Sequence, residues 1–260
     1  MTAPDGIGGP EGLLLVDKPS GPTSHDVVGR VRAILGLRRV GHAGTLDPMA
    51  DGLLVVAVGR ATRLLGHLSL TGKTYIATIR LGEATGTDDA QGAKVGGADA
   101  SGVTDGALQD AMAALTGQLI QVPSAVSAIK VDGRRAYDRV RSGEQVELAA
   151  RPVTVSRFDI LAPVRRHDRL LDVDVVVQCS TGTYVRALAR DLGAGLGVGG
   201  HLTALRRTMV GPFSVTDAVD VYPGGVPERG GPRPAIPDAV RESVSAAILP
   251  VADVARRAFA

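Results

Sequence analysis

Between positions 41 and 52 the chain reads Gly41-His42-Ala43-Gly44-Thr45-Leu46-Asp47-Pro48-Met49-Ala50-Asp51-Gly52, its densest run of residues that could do chemistry. Three glycines let backbone approach another group closely or take a positive φ, and Pro48 biases Asp47 towards an extended conformation. The product is a carboxylate held on a loop, a group able to serve as nucleophile or base. An Asp-Pro turn closed by an Asx hydrogen bond uses the same residues and does no chemistry. A hydrolase pairing His42 with Asp47 would need a Ser or Cys in a nucleophile elbow, and none stands in one. The single cysteine, Cys179, rules out an internal disulfide and a multi-Cys zinc site. Five scattered His with no His-x-x-x-His pair leave metal chemistry without ligands, so no metal is expected.

The elements around that loop must hold it. Gly12 to Val16 is an apolar run of buried-strand length, stopped at Asp17-Lys18-Pro19. Thr23 or Ser24 caps a helix whose apolar positions Val27, Val28, Val31, Ile34 and Leu35 recur at helical spacing, and Gly36 closes it. The stretch 38–52 reads as a polar, glycine-rich loop leading into a strand over 53–58 and a short helix over 61–68. Lys73 to Leu81 alternates at the period of a sheet strand. Residues 82–103 are rich in Gly and Asp with almost no large apolar side chain, and read as a mobile loop.

Downstream, the sequence predicts a helix over 104–115, a strand over 125–131 and a basic helical turn or arm over 133–143. A hairpin of 152–162 with 170–179, a helix over 184–192 and a strand over 201–210 follow. Beyond Phe213 the chain turns Pro/Gly-rich, and 238–260 reads as one or two weak amphipathic helices. Strands and helices do not alternate regularly. The expected class is therefore α+β, a mixed, largely antiparallel sheet flanked by helices.

A chain of 260 residues can bury a sizeable core. No run approaches the roughly 18 apolar residues of a membrane span, and the first twelve residues lack the basic flank and apolar stretch of a signal peptide, so a cytoplasmic protein is expected. The net charge of +2 conceals strong segmentation. Residues 17–80 hold nine Lys/Arg against four Asp/Glu, 81–110 hold one against six, and 123–169 hold ten against six. Arg outnumbers Lys 25 to 4, a ratio that GC-rich coding accounts for well but that also suits phosphate forks and base stacking.

The string GHAGTLDPMADGLLVVAVGRATRL resembles the catalytic motif of the pseudouridine synthases, specifically of the TruB family of tRNA pseudouridine-55 synthases. The likeness continues in order through LLLVDKPSGPTSHDVV, GKTYIATIRLGEATGTDDAQG, QVPSAVSAIKVDGRRAYDRVRSG, CSTGTYVRALARDLG and HLTALRRTMVGPF, covering about 12–213. It implies a pseudouridine synthase catalytic fold with an inserted basic arm. It also implies a cofactor-free isomerisation of the T-loop uridine of tRNA to pseudouridine; the expected partner is the T-arm of tRNA, with no membrane, and the expected state is a monomer. Asp47 would be the aspartate acting at the ribose, whether by adding to C1′ or by taking the 2′ proton. Arg186, otherwise an ordinary helix arginine, would be its cationic partner. The target base lies stacked in a folded loop and must be flipped out. Tyr75 would stack on it, Tyr184 and Leu205 would wall its pocket, and His42 would brace the space it leaves; without the resemblance all four read as packing or surface.

Lys18 and Pro19 would support the active-site loop, or merely end a strand. Lys130, Arg134, Arg135, Arg139 and Arg141 on the arm would close over RNA phosphates, or form a solvated charged face. Two departures stand out: Val126 occupies a position where many relatives carry Tyr, and the sequence ends about where the family's small C-terminal PUA-type RNA-binding domain would begin, so that domain is expected to be missing, whether from a shortened natural form or a fragment. The expected organisation is a disordered tail over 1–11, the catalytic domain over 12–213, and a linker with helical segment over 214–260. A non-catalytic RNA-binding or tRNA-folding module, and a sister synthase acting on another RNA, are the alternatives.

Overall fold

The structure, a computed structural model, describes residues 9–124, 130–131, 134–135, 148–228 and 235–258. The chain divides into two compact units, Met1–Thr74 with Arg206–Ala260, and Tyr75–Leu205.

The first unit opens with β1 (Gly12–Lys18), which runs two residues past the apolar run. Helix α1 (Ser24–Leu35) begins at Thr23 in a capping box: the Asp26 amide donates to the Thr23 hydroxyl, and the Thr23 amide to the Asp26 carboxylate. Gly36, at φ 67°, ends it as expected. The stretch read as loop over 38–52 contains a strand, β2 (Val40–Ala43), antiparallel to β3 (Asp51–Val58) from Val40↔Val58 to Ala43↔Val55. Gly41 and His42 hide it, since only Val40 and Ala43 are buried. Strands β1 and β3 pair antiparallel from Gly12↔Val58 to Lys18↔Gly52. Both read as continuous apolar runs because both faces are covered. A 3-10 turn over Gly59–Leu64 and α2 (Leu65–Ser69) stand where a short helix is expected.

The chain enters the second unit along β4 (Lys73–Leu81), whose burial alternates as its sequence does. Residues 82–103 are not a bare loop. They carry the hairpin β5 (Ala84–Thr85) and β6 (Lys94–Gly96), and are tied down by backbone bonds from Ala90 to Leu202 at 2.8 Å, Leu202 to Asp88 at 3.0 Å and Ala98 to Val198 at 2.9 Å. Polar satisfaction does there what apolar packing does elsewhere. Helix α3 (Asp105–Ala114) follows from its Thr104 cap, then β7 (Gly117–Gln121), which the sequence reading lacks.

Within the basic arm, β8 (Lys130–Val131) and β9 (Arg134–Arg135) pair antiparallel, so this part is a ribbon and not a helical turn. Arg139, Arg141 and Val126 lie outside the described residues. Strands β10 (Arg151–Ile160) and β12 (Leu170–Cys179) form the expected hairpin, with β11 (Arg165–His167) paired on β12. Helix α4 (Val185–Gly195) and β13 (Gly200–Val210) complete a sheet of order β13-β4-β12-β10-β7.

Strand β13 ends in the first unit, parallel to β3 at Arg206↔Asp51 and Arg207↔Gly52. Gly52 has φ 99°, and a Cβ there would sit 2.3 Å from the Arg207 carbonyl oxygen, so only glycine fits. Strand β14 (Phe213–Ser214), α5 (Asp238–Ala246), β15 (Leu249–Pro250) and α6 (Val251–Ala258) follow, β15 pairing on β1. Leu13, Leu15, Leu53, Val55, Leu68, Phe213 and Val254 form the core of this unit. Among the described residues no helix is long and apolar enough to cross a membrane.

Candidate active site

In the first unit the sequence-predicted residues Lys18, Pro19, His42 and Asp47 surround one loop. Asp47 follows β2 and stands in a turn closed by the Ala50 amide, which donates to the Asp47 carbonyl at 3.1 Å. Three groups hold the backbone on either side of the carboxylate. Ser24, at the start of α1 and 2% exposed, donates to the Leu46 carbonyl at 2.9 Å and accepts from the Leu46 amide at 2.8 Å. On the other side the Gly21 amide donates to the Pro48 carbonyl at 2.7 Å and the Ser20 hydroxyl to the Met49 carbonyl at 3.1 Å.

Lys18 is wholly buried, and its Nζ donates to the carbonyls of Pro19 and Pro22, each at 2.9 Å, and of Pro48 at 3.5 Å. Lys-Pro is thus more than a strand stop: the ammonium staples the turn after β1 to the loop of Asp47. Burial brings the Lys18 pKa down to about 8, against the opposing pull of the Asp51 and Asp47 carboxylates. Burial also lowers the His42 pKa, aided by His25 and Arg207. The imidazole is therefore neutral at neutral pH, with a buried Nδ1 that has no hydrogen-bond partner of ordinary geometry.

Sequence reasoning misses Arg207. Its side chain, 1% exposed, donates to the carbonyls of Leu53 at 2.7 Å, Thr45 at 3.2 Å and Gly44 at 3.2 Å, clamping the start of the Asp47 loop. Its neighbour Arg206 forks onto Asp17 and Asp51. Nothing in the local pattern marks Arg207, since an arginine on a strand reads as surface.

The second unit holds Tyr75, Tyr184, Arg186 and Leu205. Tyr75 on β4 and Leu205 on β13, neighbouring strands, are 7% and 6% exposed. Arg186 lies in the first turn of α4, buried, with Nη1 2.9 Å from the Thr87 carbonyl and 3.6 Å from the Asp89 carboxylate. Asp89 is itself held by the Thr87 hydroxyl at 2.6 Å and the Gln91 amide at 3.0 Å. Arg190, one turn on, meets Asp88 at 3.3 Å. The acidic stretch at 88–89 thus supplies anchors for α4. Tyr184 precedes α4, and the Arg151 guanidinium stacks over its ring at 4.7 Å. Of the arm residues, Lys130, Arg134 and Arg135 are placed by their backbone, in β8 and β9.

The first unit presents a carboxylate on a loop whose backbone is hydrogen-bonded on both sides of it. The second presents a buried guanidinium held beside a carboxylate and a carbonyl. Comparison with known proteins follows the same motifs. Residues 32–185 match the model of the TruB family pseudouridylate synthase N-terminal domain, and 186–222 that of the tRNA pseudouridylate synthase B C-terminal domain. A "tRNA pseudouridine synthase B" of Cutibacterium acnes is 65% identical over 212 residues, 81% of this chain and 72% of that protein. One of an Arthrobacter species is 65% identical over 209 residues, 80% of this chain and 68% of that protein. Among solved structures, a "Crystal Structure of a Cbf5-Nop10-Gar1 Complex" has a TM-score of 0.62 at 32% identity, over 81% of this chain; the chain spans 52% of that structure's own chain.

Proposed function

The chain belongs to the TruB family of pseudouridylate synthases, and from that membership we propose its function: it isomerises uridine to pseudouridine in tRNA, at the T-loop uridine of position 55. The N1–C1′ bond breaks, the base turns, C5 bonds to C1′, the C5 proton leaves to solvent and N1 takes one up. The stacked base must first be flipped out, and Tyr75 stacks on it while Tyr184 and Leu205 wall it. His42, whose pKa burial lowers, braces the space left in the RNA loop.

Asp47 acts at the ribose. The observation that carries this reading is the immobilisation of its loop at Leu46, Pro48 and Met49 by residues of the turn after β1 and the start of α1. A nucleophile or base held to one geometry saves the entropy of finding it at the moment of reaction. Arg186 stabilises charge during that step, and the basic arm, Lys130 to Arg141, binds phosphates of the T-arm with the salt sensitivity of such contacts. The substrate is the cytoplasmic tRNA pool, and the chain acts as a monomer without a cofactor.

The test is tritium release from tRNA labelled at uridine C5. Wild type releases tritium from tRNA and from an isolated T-arm hairpin, and not from unrelated stem-loops. Asp47→Asn releases none while binding tRNA within about tenfold of wild type, since the lost group serves the transition state and not affinity. Near-normal release by Asp47→Asn would sink the assignment, and undiminished tRNA refolding by the same variant would mark a folding role beside it.

A further inference from the structure

Gln121 is the last residue of β7, 2% exposed, and its carboxamide meets a single partner residue twice. The Tyr184 amide donates to Gln121 Oε1 at 2.8 Å, and Gln121 Nε2 donates to the Tyr184 carbonyl at 3.1 Å. That carbonyl also takes the first bond of α4, from the Leu188 amide at 3.2 Å. Tyr184 has extended backbone (φ −103°, ψ 109°) and no side-chain cap of its own. The glutamine therefore stands in for a neighbouring peptide, satisfying both polar groups of the residue at which the chain turns into the helix. Two positions later comes Arg186, and above the Tyr184 ring lies Arg151.

We propose that Gln121 is a positioning residue for the reaction, setting the orientation of the Tyr184 ring and the emergence of Arg186 from the first turn of α4. The proposal rests on the function proposed above for those two residues. The side chains nearest in length fail: an ionised glutamate lacks the donor, methionine lacks the donor and offers only a weak sulfur acceptor, and asparagine is a methylene short. A protonated glutamate, however, restores the donor.

The experiment compares wild type, Gln121→Met and Gln121→Glu by tritium release from tRNA and by hydrogen exchange of the amides of 184–188. For Gln121→Met, kcat falls about 10- to 100-fold with KM for tRNA within about threefold, because the arginines that bind backbone are untouched while the reacting geometry is lost. Exchange over 184–188 speeds at least about tenfold in the folded protein. For Gln121→Glu, the ratio of its kcat to that of wild type climbs as pH falls through the raised pKa of a buried carboxyl, a recovery that loss of packing alone would not show. A kcat of Gln121→Met within twofold of wild type overturns the proposal, as does unchanged exchange over 184–188. Should Gln121→Met fail to fold, a pH-independent ratio for Gln121→Glu overturns it equally. If wild type itself releases no tritium, the proposed function falls, and the exchange measurement still decides what Gln121 holds.

Discussion

Ser24 and Leu46 exchange two hydrogen bonds, 2.9 and 2.8 Å, across 22 positions of sequence, so that the first residue of α1 takes both backbone polar groups of the residue before Asp47. The hydroxyl acts there as a one-atom strand partner. It leaves the loop no second low-energy conformation without stranding a buried amide and carbonyl.

Replacing Ser24 by Ala strands both groups and is expected to cost about 2 kcal/mol of stability. Activity should fall further than the folded fraction does, because Asp47 gains freedom. Chemical denaturation together with kcat at a temperature where the variant is fully folded checks both; a kcat equal to wild type would show that Leu46 needs no clamp.

The buried ammonium of Lys18 makes stability depend on pH. Its folded pKa, about 8, lies below the unfolded value of 10.5, so the unfolded chain binds the proton more tightly. The penalty is complete below pH 8 and is relieved as pH rises from 8 to 10.5, where unfolding takes up a proton and stability climbs. Lys18→Met removes that rise, and also the three carbonyl contacts. On going from pH 7.5 to pH 10 the denaturation midpoint of wild type should therefore rise relative to that of the variant. A constant difference would contradict the assignment.

Arg207→Met leaves the carbonyls of Gly44, Thr45 and Leu53 without a donor in a buried site. The expected loss is about 3 kcal/mol. Arg207→Lys restores the charge but offers a point donor in place of a fork, so it should recover only part of the stability. Thermal melts of the pair measure this, and full recovery by lysine would show that charge matters there and geometry does not.

Asp89→Asn turns a buried carboxylate facing Arg186 into a neutral amide. The stranded guanidinium is expected to shift, lowering kcat by about 10- to 100-fold with little change in KM for tRNA, as for a group that acts in the transition state. Steady-state tritium release distinguishes this from a binding defect, which would raise KM at constant kcat.

The local elements were legible because their causes are local. Apolar runs of strand length mark β1 and β3, the alternation over 73–81 marks β4, and the Thr23-Asp26 box with Gly36 marks both ends of α1. Less legible were β2 and β7, whose short lengths and polar or glycine members carry no period, and the 82–103 segment, whose order comes from backbone bonds to residues a hundred positions away. Of the two readings the arm allows, helical turn or extended arm, the pairing of 130–131 with 134–135 favours the second there, and its charges recur at a spacing a helix would also allow.

By itself the amino-acid sequence determined that Asp47 sits on a glycine-bounded, proline-stiffened loop between apolar strands, and which family its ordered motifs belong to. Only the tertiary structure decided what holds that loop and α4 in place. Lys18 reaches Pro48, Arg207 reaches Gly44 and Thr45, Asp89 faces Arg186, and Gln121 meets Tyr184 across separations of 30 to 163 residues. The partners are backbone amides and carbonyls, or polar and charged side chains that read, in one dimension, as surface. A buried polar group is costly unless something distant in the chain satisfies it, and which distant group arrives is decided by the packing of the whole.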